Sequence, residues 1–395
     1  MKVAIVGSGI SGLAAAHALQ GQADITLFEA GDYFGGHTHT VDITLPGPHG
    51  PLSHGVDTGF LVFNERTYPQ LIALFAELGV ETAKSDMSFS VKVPAASSGR
   101  ALEWSGSSLN SVFAQRGNLV SWKFLRMLQD ITRFNRITTR LAASGAEPAM
   151  QQPLADFLRS HRFSAEFRDW YFLPMMGCIW SCPTAQMLQF PVATMIRFCH
   201  NHGLLQITDR PQWWTVRGGA RHYVEKIIAG IGDKRLNTSV LRIERDEPMA
   251  RGGVRIVTPS GVEHFDKVVL ATHSDQSLAL LPAPSPAERS VLGAIRYQPN
   301  RAVLHTDASV LPQKKLAWAA WNYERAAQTS RESPGVCLHY LLNLLQPLPF
   351  TQPVVVSLNP VQAIARSHIM GEYDYMHPVF DLPAIRAQQA LPALQ

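Results

Sequence analysis

The sequence predicts an α/β fold: a Rossmann-like dinucleotide-binding domain with an α+β substrate domain inserted into it. Three observations predict this. A β-branched run at the amino terminus opens into a glycine loop and an alanine-rich segment, Leu13–Leu19. Further strand-like runs come near residues 235–243 and 267–270. The residues between are helical in pattern, and those after about residue 285 fall into short β-rich runs.

Lys2-Val3-Ala4-Ile5-Val6 reads as a strand buried on both faces, because it is nearly continuous in apolar residues. Gly7-Ser8-Gly9-Ile10-Ser11-Gly12 follows, then strong helix formers, then a second strand from Asp24 to Phe28 ending at Glu29. Each position has a chemical reason. Gly7 permits the tight turn, Gly9 lets a pyrophosphate approach the backbone, and Gly12 lets helix and sheet pack closely. Amides at the helix start, around Ser11, favour the diphosphate together with the helix dipole. Glu29 lies 17 residues after Gly12, where an acceptor for an adenosine ribose hydroxyl is expected. A glycine-rich turn in an unrelated α/β domain is the plain alternative. Strand, helix, second strand and terminal acid in one unit argue against it.

The 395 residues suffice for two hydrophobic cores, and 46% hydrophobic with 17% charged residues marks a globular chain. A net charge of +4, with scattered lysine and arginine, is too small to argue for nucleic acid. It permits peripheral contact with an anionic membrane surface. The first strand begins at the second residue, which leaves no room before it for a leader peptide, and no apolar run is long enough to span a bilayer. Cys178, Cys182, Cys199 and Cys337 show no disulfide-framework spacing. The expected location is therefore the cytoplasm, with any membrane contact at the inner face.

Glu29 leads into Ala30-Gly31-Asp32-Tyr33-Phe34-Gly35-Gly36-His37-Thr38, and this second glycine pair resembles the Gly-Gly element of the amine-oxidase and phytoene-desaturase flavoproteins. The resemblance implies FAD in a domain of the glutathione-reductase type, with Gly35, Gly36 and Thr38 along its diphosphate and ribityl chain. His37 stands where the family commonly has arginine. Gly55-Val56-Asp57-Thr58-Gly59-Phe60 resembles the family's loop returning to the flavin ring, which implies that Asp57 and Gly59 belong to the cofactor site. Arg217-Gly218-Gly219-Ala220, a helix at Tyr223–Ile228 and the run Arg235–Ile243 resemble the re-entry into the nucleotide domain, with the Val240 backbone toward adenine. Lys267-Val268-Val269-Leu270 followed by Ala271-Thr272 resembles the strand and turn that close the FAD site. Singly, each has a plain reading as turn chemistry or a core strand. Four in the family's order carry the inference.

The domains are accordingly expected at 1–66 with 212–285 and about 377–395 for FAD, and at 67–211 with 286–376 for substrate. Helices are expected at Tyr68–Leu78, Ser121–Leu141, Leu154–His161 and Phe190–His202, and strands at Ala302–Thr306, Leu316–Tyr323, Val336–Leu342 and Val354–Leu358.

The whole chain resembles a bacterial subgroup of NAD/FAD-binding proteins of the flavin-containing amine oxidase type. The resemblance rests on Gly35–Thr38, Asp57–Asn64, Trp321-Asn322-Tyr323 and His377-Pro378-Val379-Phe380-Asp381. Members often sit beside cyclopropane-fatty-acid-synthase-like genes, which implies a lipid acyl or other small-molecule substrate. Pro174–Pro183 and Trp213-Trp214 are candidate cavity walls, although ordinary core packing explains both more readily. His37-Thr38-His39 and Cys178 with Cys182 lack a second pair at metal-site spacing, so no metal is expected. His377 and Arg217 are polar candidates for the pocket, and no lysine maps beside the flavin. The family's glycine-rich strand, turn and helix after the His-Pro-Val-Phe-Asp element are not found before Gln395. Two other readings therefore stand beside the flavoenzyme: a weak or inactive nucleotide-binding protein, and an NAD-dependent dehydrogenase. The dehydrogenase is disfavoured because no second contiguous Rossmann half follows the first.

Overall fold

A computed structural model describes residues 1–95, 101–144, 152–180, 184–205, 210–245, 252–325 and 336–394. Its organising element is a parallel four-stranded sheet in the order 233–235, 24–28, 2–6, 267–270. Val3, Ala4, Ile5 and Val6 are buried, since both faces of this central strand are covered. On one face, Ile5, Leu13, Ile25 and Leu27 pack with Tyr223, Val224 and Ile227 of the helix Arg221–Ala229. On the other, Ala4, Val6 and Phe28 meet Ile243, Ile256 and Phe265 of an antiparallel meander (242–245, 254–258, 261–265).

The second layer system is a seven-stranded mixed sheet in the order 369–378, 297–305, 355–358, 337–341, 321–324, 89–93, 102–105. Helices 122–144, 154–160, 173–180 and 192–201 pack over it around Phe134, Phe157, Phe167 and Phe172. A hairpin (40–47, 50–57) and a small sheet (63–64, 213–216, 82–85) join the two systems.

Helices appear where periodicity places them, at 69–78, 122–144, 154–160 and 192–201. Strands 297–305, 337–341 and 355–358 also appear near their expected runs. The run Leu316–Tyr323 is different: Lys315–Ala317 is a 3-10 turn and the strand is only Trp321–Glu324. The Asn322 side chain accepts from the Ala319 amide (3.0 Å) and donates to its carbonyl (2.5 Å). That gives this backbone an alternative to ladder pairing. His377 and Pro378 end the edge strand of the seven-stranded sheet, and the helix Leu382–Ala390 follows. Ser181, Cys182 and Pro183 of the candidate wall lie outside the described residues.

Candidate flavin and substrate site

The cleft forms at the carboxyl ends of the parallel strands, where open α/β sheets bind ligands. The Gly7 amide donates to the Phe28 carbonyl (2.9 Å) and the Ala271 amide to the Val6 carbonyl (2.8 Å), so all three strand ends are tied together. Gly7 has φ +98°, and a Cβ there would meet the Ala271 oxygen at 2.8 Å. A Cβ on Gly12 would collide with the Gly7 carbonyl oxygen. Gly9 is the opposite case: nothing lies within 4 Å of where its Cβ would stand. Gly9 is also the N-cap of helix Ile10–Leu19 and offers no side-chain cap to the first-turn amides.

Glu29 organises the adenosine end. Its Oε2 accepts from the Ser8 amide (3.0 Å) and hydroxyl (2.5 Å), and its Oε1 from the Gly31 amide (2.8 Å). The Thr238 amide donates to the Glu29 carbonyl and the Asn237 amide to that of Gly31, both at 2.8 Å, which brings Val240 to the cleft wall. The second glycine pair closes onto the first loop: the Gly35 amide donates to the Ser8 carbonyl (3.1 Å). The resulting cleft of about 1170 Å³ is lined by Gly7, Gly9, Ser11, Glu29, Gly35, Gly36, His37, Thr38, Val240, Ala271 and Thr272.

Three expected residues do not face it. Gly12 is buried beneath the loop, where it keeps the helix close to the strand. Asp57 is buried, accepting from the Thr40 hydroxyl (2.5 Å), the Ala220 amide (2.9 Å) and Gln346 Nε2 (2.7 Å). Burial pushes its pKa up to about 6, against these hydrogen bonds. Its carboxylate is thus consumed in fixing the start of the helix Arg221–Ala229. Gly59 lines the adjoining cavity instead, because its loop lies against the His37 carbonyl, which accepts from the Phe60 amide (2.8 Å).

At the far end stand rings that the sequence did not single out together. His37 lies 4.9 Å from Tyr375, 5.8 Å from His377 and 5.9 Å from His273, centroid to centroid. Tyr373, Tyr375 and His377 alternate along the edge strand and so share a face; that period of two is the signal that joins the two tyrosines to His377. Burial lowers the pKa of His37 and His273, and takes that of His377 down to about 4. All three are therefore neutral at pH 7. Asn300 Nδ2 donates to His377 Nδ1 (3.1 Å), which places the His377 proton on Nε2. His37 Nε2 is buried without a partner, a polar atom left over for a ligand.

A second cavity of about 780 Å³ adjoins the cleft, sharing Phe60 and Tyr68 with it. Met87, Phe89, Met175, Cys178, Ile179, Trp180, Trp213 and Trp321 form much of its wall. Trp213 belongs to it and Trp214 does not. Arg217 is exposed and paired with Glu81 (3.7 Å), away from both spaces. Among the described residues, one trio has metal-ligand spacing: Glu324, Cys337 and His339, all buried. Here His339 Nε2 pairs with Glu324 (3.1 Å), whose other oxygen meets the Lys92 ammonium (3.0 Å), so the trio is satisfied as an ionic network. Sequence spacing offers no hint of it, because Glu324 meets Cys337 and His339 only through the pairing of strands 321–324 and 337–341.

A model of the flavin-containing amine oxidoreductase family matches residues 10–324. The chain belongs to this family. Its cofactor is FAD, and it is an FAD-dependent oxidoreductase rather than an NAD-dependent dehydrogenase. Solved structures share the fold. A redesigned double mutant of putrescine oxidase superposes with TM-score 0.64 at 16% identity, covering 98% of this chain and 90% of that one. Cyclohexylamine oxidase from Brevibacterium oxydans IH-35A gives 0.63 at 18%, covering 98% and 90%. A CLA-producing fatty acid isomerase from P. acnes gives 0.57 at 17%, covering 99% and 90%. A search of curated proteins found no match.

The residues present fit the family's cofactor. The uncapped helix start and the open space at Gly9 would take the diphosphate, Glu29 the ribose, and Val240 the adenine side. His37 Nε2 would supply a neutral donor or acceptor farther along the cleft. When bound, FAD supplies the electron-accepting chemistry; the protein's part is to orient, desolvate and exclude water.

Proposed function

We propose that this oxidoreductase acts on an apolar, lipid acyl-type substrate held in the cavity beside the flavin cleft. One observation carries the reading: no aspartate or glutamate lines that cavity among the described residues, while aromatic and sulfur-bearing side chains dominate it. A cationic amine would be desolvated there without a counter-charge, at several kcal/mol. An acyl chain gains roughly 0.8 kcal/mol for each methylene buried. Phe60 and Tyr68, common to cleft and cavity, would hold the reacting carbons toward the cofactor and keep water from it. The same fold serves a fatty acid isomerase as well as amine oxidases, so architecture alone permits either substrate.

The test is anaerobic mixing of FAD-loaded protein with long-chain fatty acids or phospholipids in one series and with putrescine or cyclohexylamine in the other. Loss of the oxidised-flavin absorbance with the acyl series alone is the expected result. Reduction by the amines alone overturns the reading.

A further inference from the structure

We propose that the face built from residues 109–125 and the turn Lys315–Ala317 docks onto an anionic lipid bilayer. Large apolar side chains crowd this face: Leu109 is 81% exposed, Val120 87%, Trp122 71%, Leu119 51% and Leu316 49%. Single exposed apolar residues are ordinary, but a contiguous group marks an interaction surface. The helix Leu109–Val112 packs against the Lys315–Ala317 turn, which joins the two parts.

Charge selects the partner. Arg116, Lys123, Arg126, Lys314 and Lys315 are exposed around the apolar group. No acidic residue lies between Glu103 and Asp130 in the sequence, and both of these are buried. Glu103 accepts from the Gln313 (2.9 Å) and Lys314 (3.0 Å) amides, and Asp130 from the Ser164 amide (2.9 Å) while pairing with Arg133. The face is therefore cationic and apolar with no exposed carboxylate of its own. A protein partner's surface is mixed in sign. An anionic bilayer offers headgroup charge above an apolar interior, and Trp, Leu and Val with flanking Lys and Arg match that order of layers.

The platform is rigid. Ser108 and Ser111 form a capping box, Arg116 donates to Asn110 (2.6 Å) and the Phe113 carbonyl (2.9 Å), and Gln115 spans Ala101 and Glu103. Phe113 and Phe124 anchor it from beneath: Phe124 packs on Trp104, and Trp104 on Phe89 of the cavity wall. Docking would set the cavity two ring contacts from the lipid. That link to the substrate rests on the function proposed above; the docking itself does not.

The experiment is co-sedimentation of FAD-loaded protein with vesicles of phosphatidylcholine alone or mixed with phosphatidylglycerol. The wild type is expected to sediment with the anionic vesicles and to be released by added salt. Lys123→Ser with Arg126→Ser should weaken partitioning roughly 30-fold, at about one cation's worth of surface attraction each. Val120→Ser with Trp122→Ser should weaken it at least about 10-fold. Both double variants should keep the wild-type melting temperature, since every replaced side chain is exposed. Absence of wild-type binding, or equal binding by all three proteins, overturns the proposal. So does light scattering that finds a dimer which Val120→Asp dissociates, because the face then joins two copies of the chain.

Discussion

Gly9 and Gly12 sit three residues apart, one at the N-cap and one in the first turn of the same helix, yet their replacement by alanine should have separable consequences. Gly9 has φ −63° and ψ 177°, an extended conformation that alanine adopts freely, and its Cβ would meet nothing within 4 Å. Gly9→Ala should therefore leave the cofactor-free fold within about 1 kcal/mol of wild type, the scale of a lost glycine N-cap against the gain in chain stiffness. The new methyl group instead occupies the space through which the diphosphate reaches the backbone. Losing two amide bonds to a charged group removes about 3 kcal/mol or more, roughly 100-fold or more in Kd for FAD. Gly12→Ala drives a methyl into the Gly7 carbonyl beneath the loop, so helix and strand must separate. That variant should lose several kcal/mol of stability as well as FAD. Urea unfolding of the apoproteins measures the first quantity and flavin fluorescence titration the second. A Gly9→Ala protein that binds FAD within threefold of wild type would refute the reasoning, as would a Gly12→Ala protein of unchanged stability.

Three further outcomes are expected. Glu29→Ala removes the acceptor for Ser8 and Gly31 as well as for the ribose, and should raise the FAD Kd about 10- to 100-fold by the same titration. Asp57→Ala strands the Ala220 amide, Thr40 and Gln346 in the interior and should cost about 3 kcal/mol in urea unfolding; an unchanged midpoint would show that water satisfies them. His339 gives a pH signature: burial works against its charge, but the Cys337 sulfur and the Glu324 carboxylate hold its pKa up at about 9, above the ordinary 6.5. A raised base stabilises fully below its unfolded pKa and loses that contribution as pH climbs through the folded value. Stability should thus fall by about 3 kcal/mol between pH 6.5 and 9, and His339→Gln should flatten that slope. Parallel slopes for the two proteins would remove His339 from the account.

The adenosine half of the site was legible because its constraints are local. Gly7, Gly9, Gly12 and Glu29 act within one strand-turn-helix unit, so spacing alone expresses their roles. Long helices were legible for the same reason, through their period. Asp57 was misread because an Asp-x-Gly turn looks the same whether its carboxylate faces a cofactor or caps Ala220, 163 residues away. The rings beside His37 come from the turn after strand 267–270 (His273) and from the edge strand 369–378 (Tyr375 and His377), segments that no local pattern brings together. The run Leu316–Tyr323 failed for a narrower cause: one asparagine side chain outbids the ladder for the Ala319 backbone.

The order of strands in the parallel sheet also sets a schedule. Strands 2–6 and 24–28 are synthesised well before their neighbours 233–235 and 267–270, which lie about 200 residues or more behind them. At about 5–20 residues per second, the glycine loop waits roughly 10–40 s for the first of these neighbours and longer for Ala271, against which Gly7 packs. Through that interval Val3, Ile5, Leu27 and Phe28, all buried in the finished fold, have no complete sheet to enter. The cleft that would take FAD draws its lining from residues as far apart as Val6 and Met376, so its walls are complete only after Met376 has emerged.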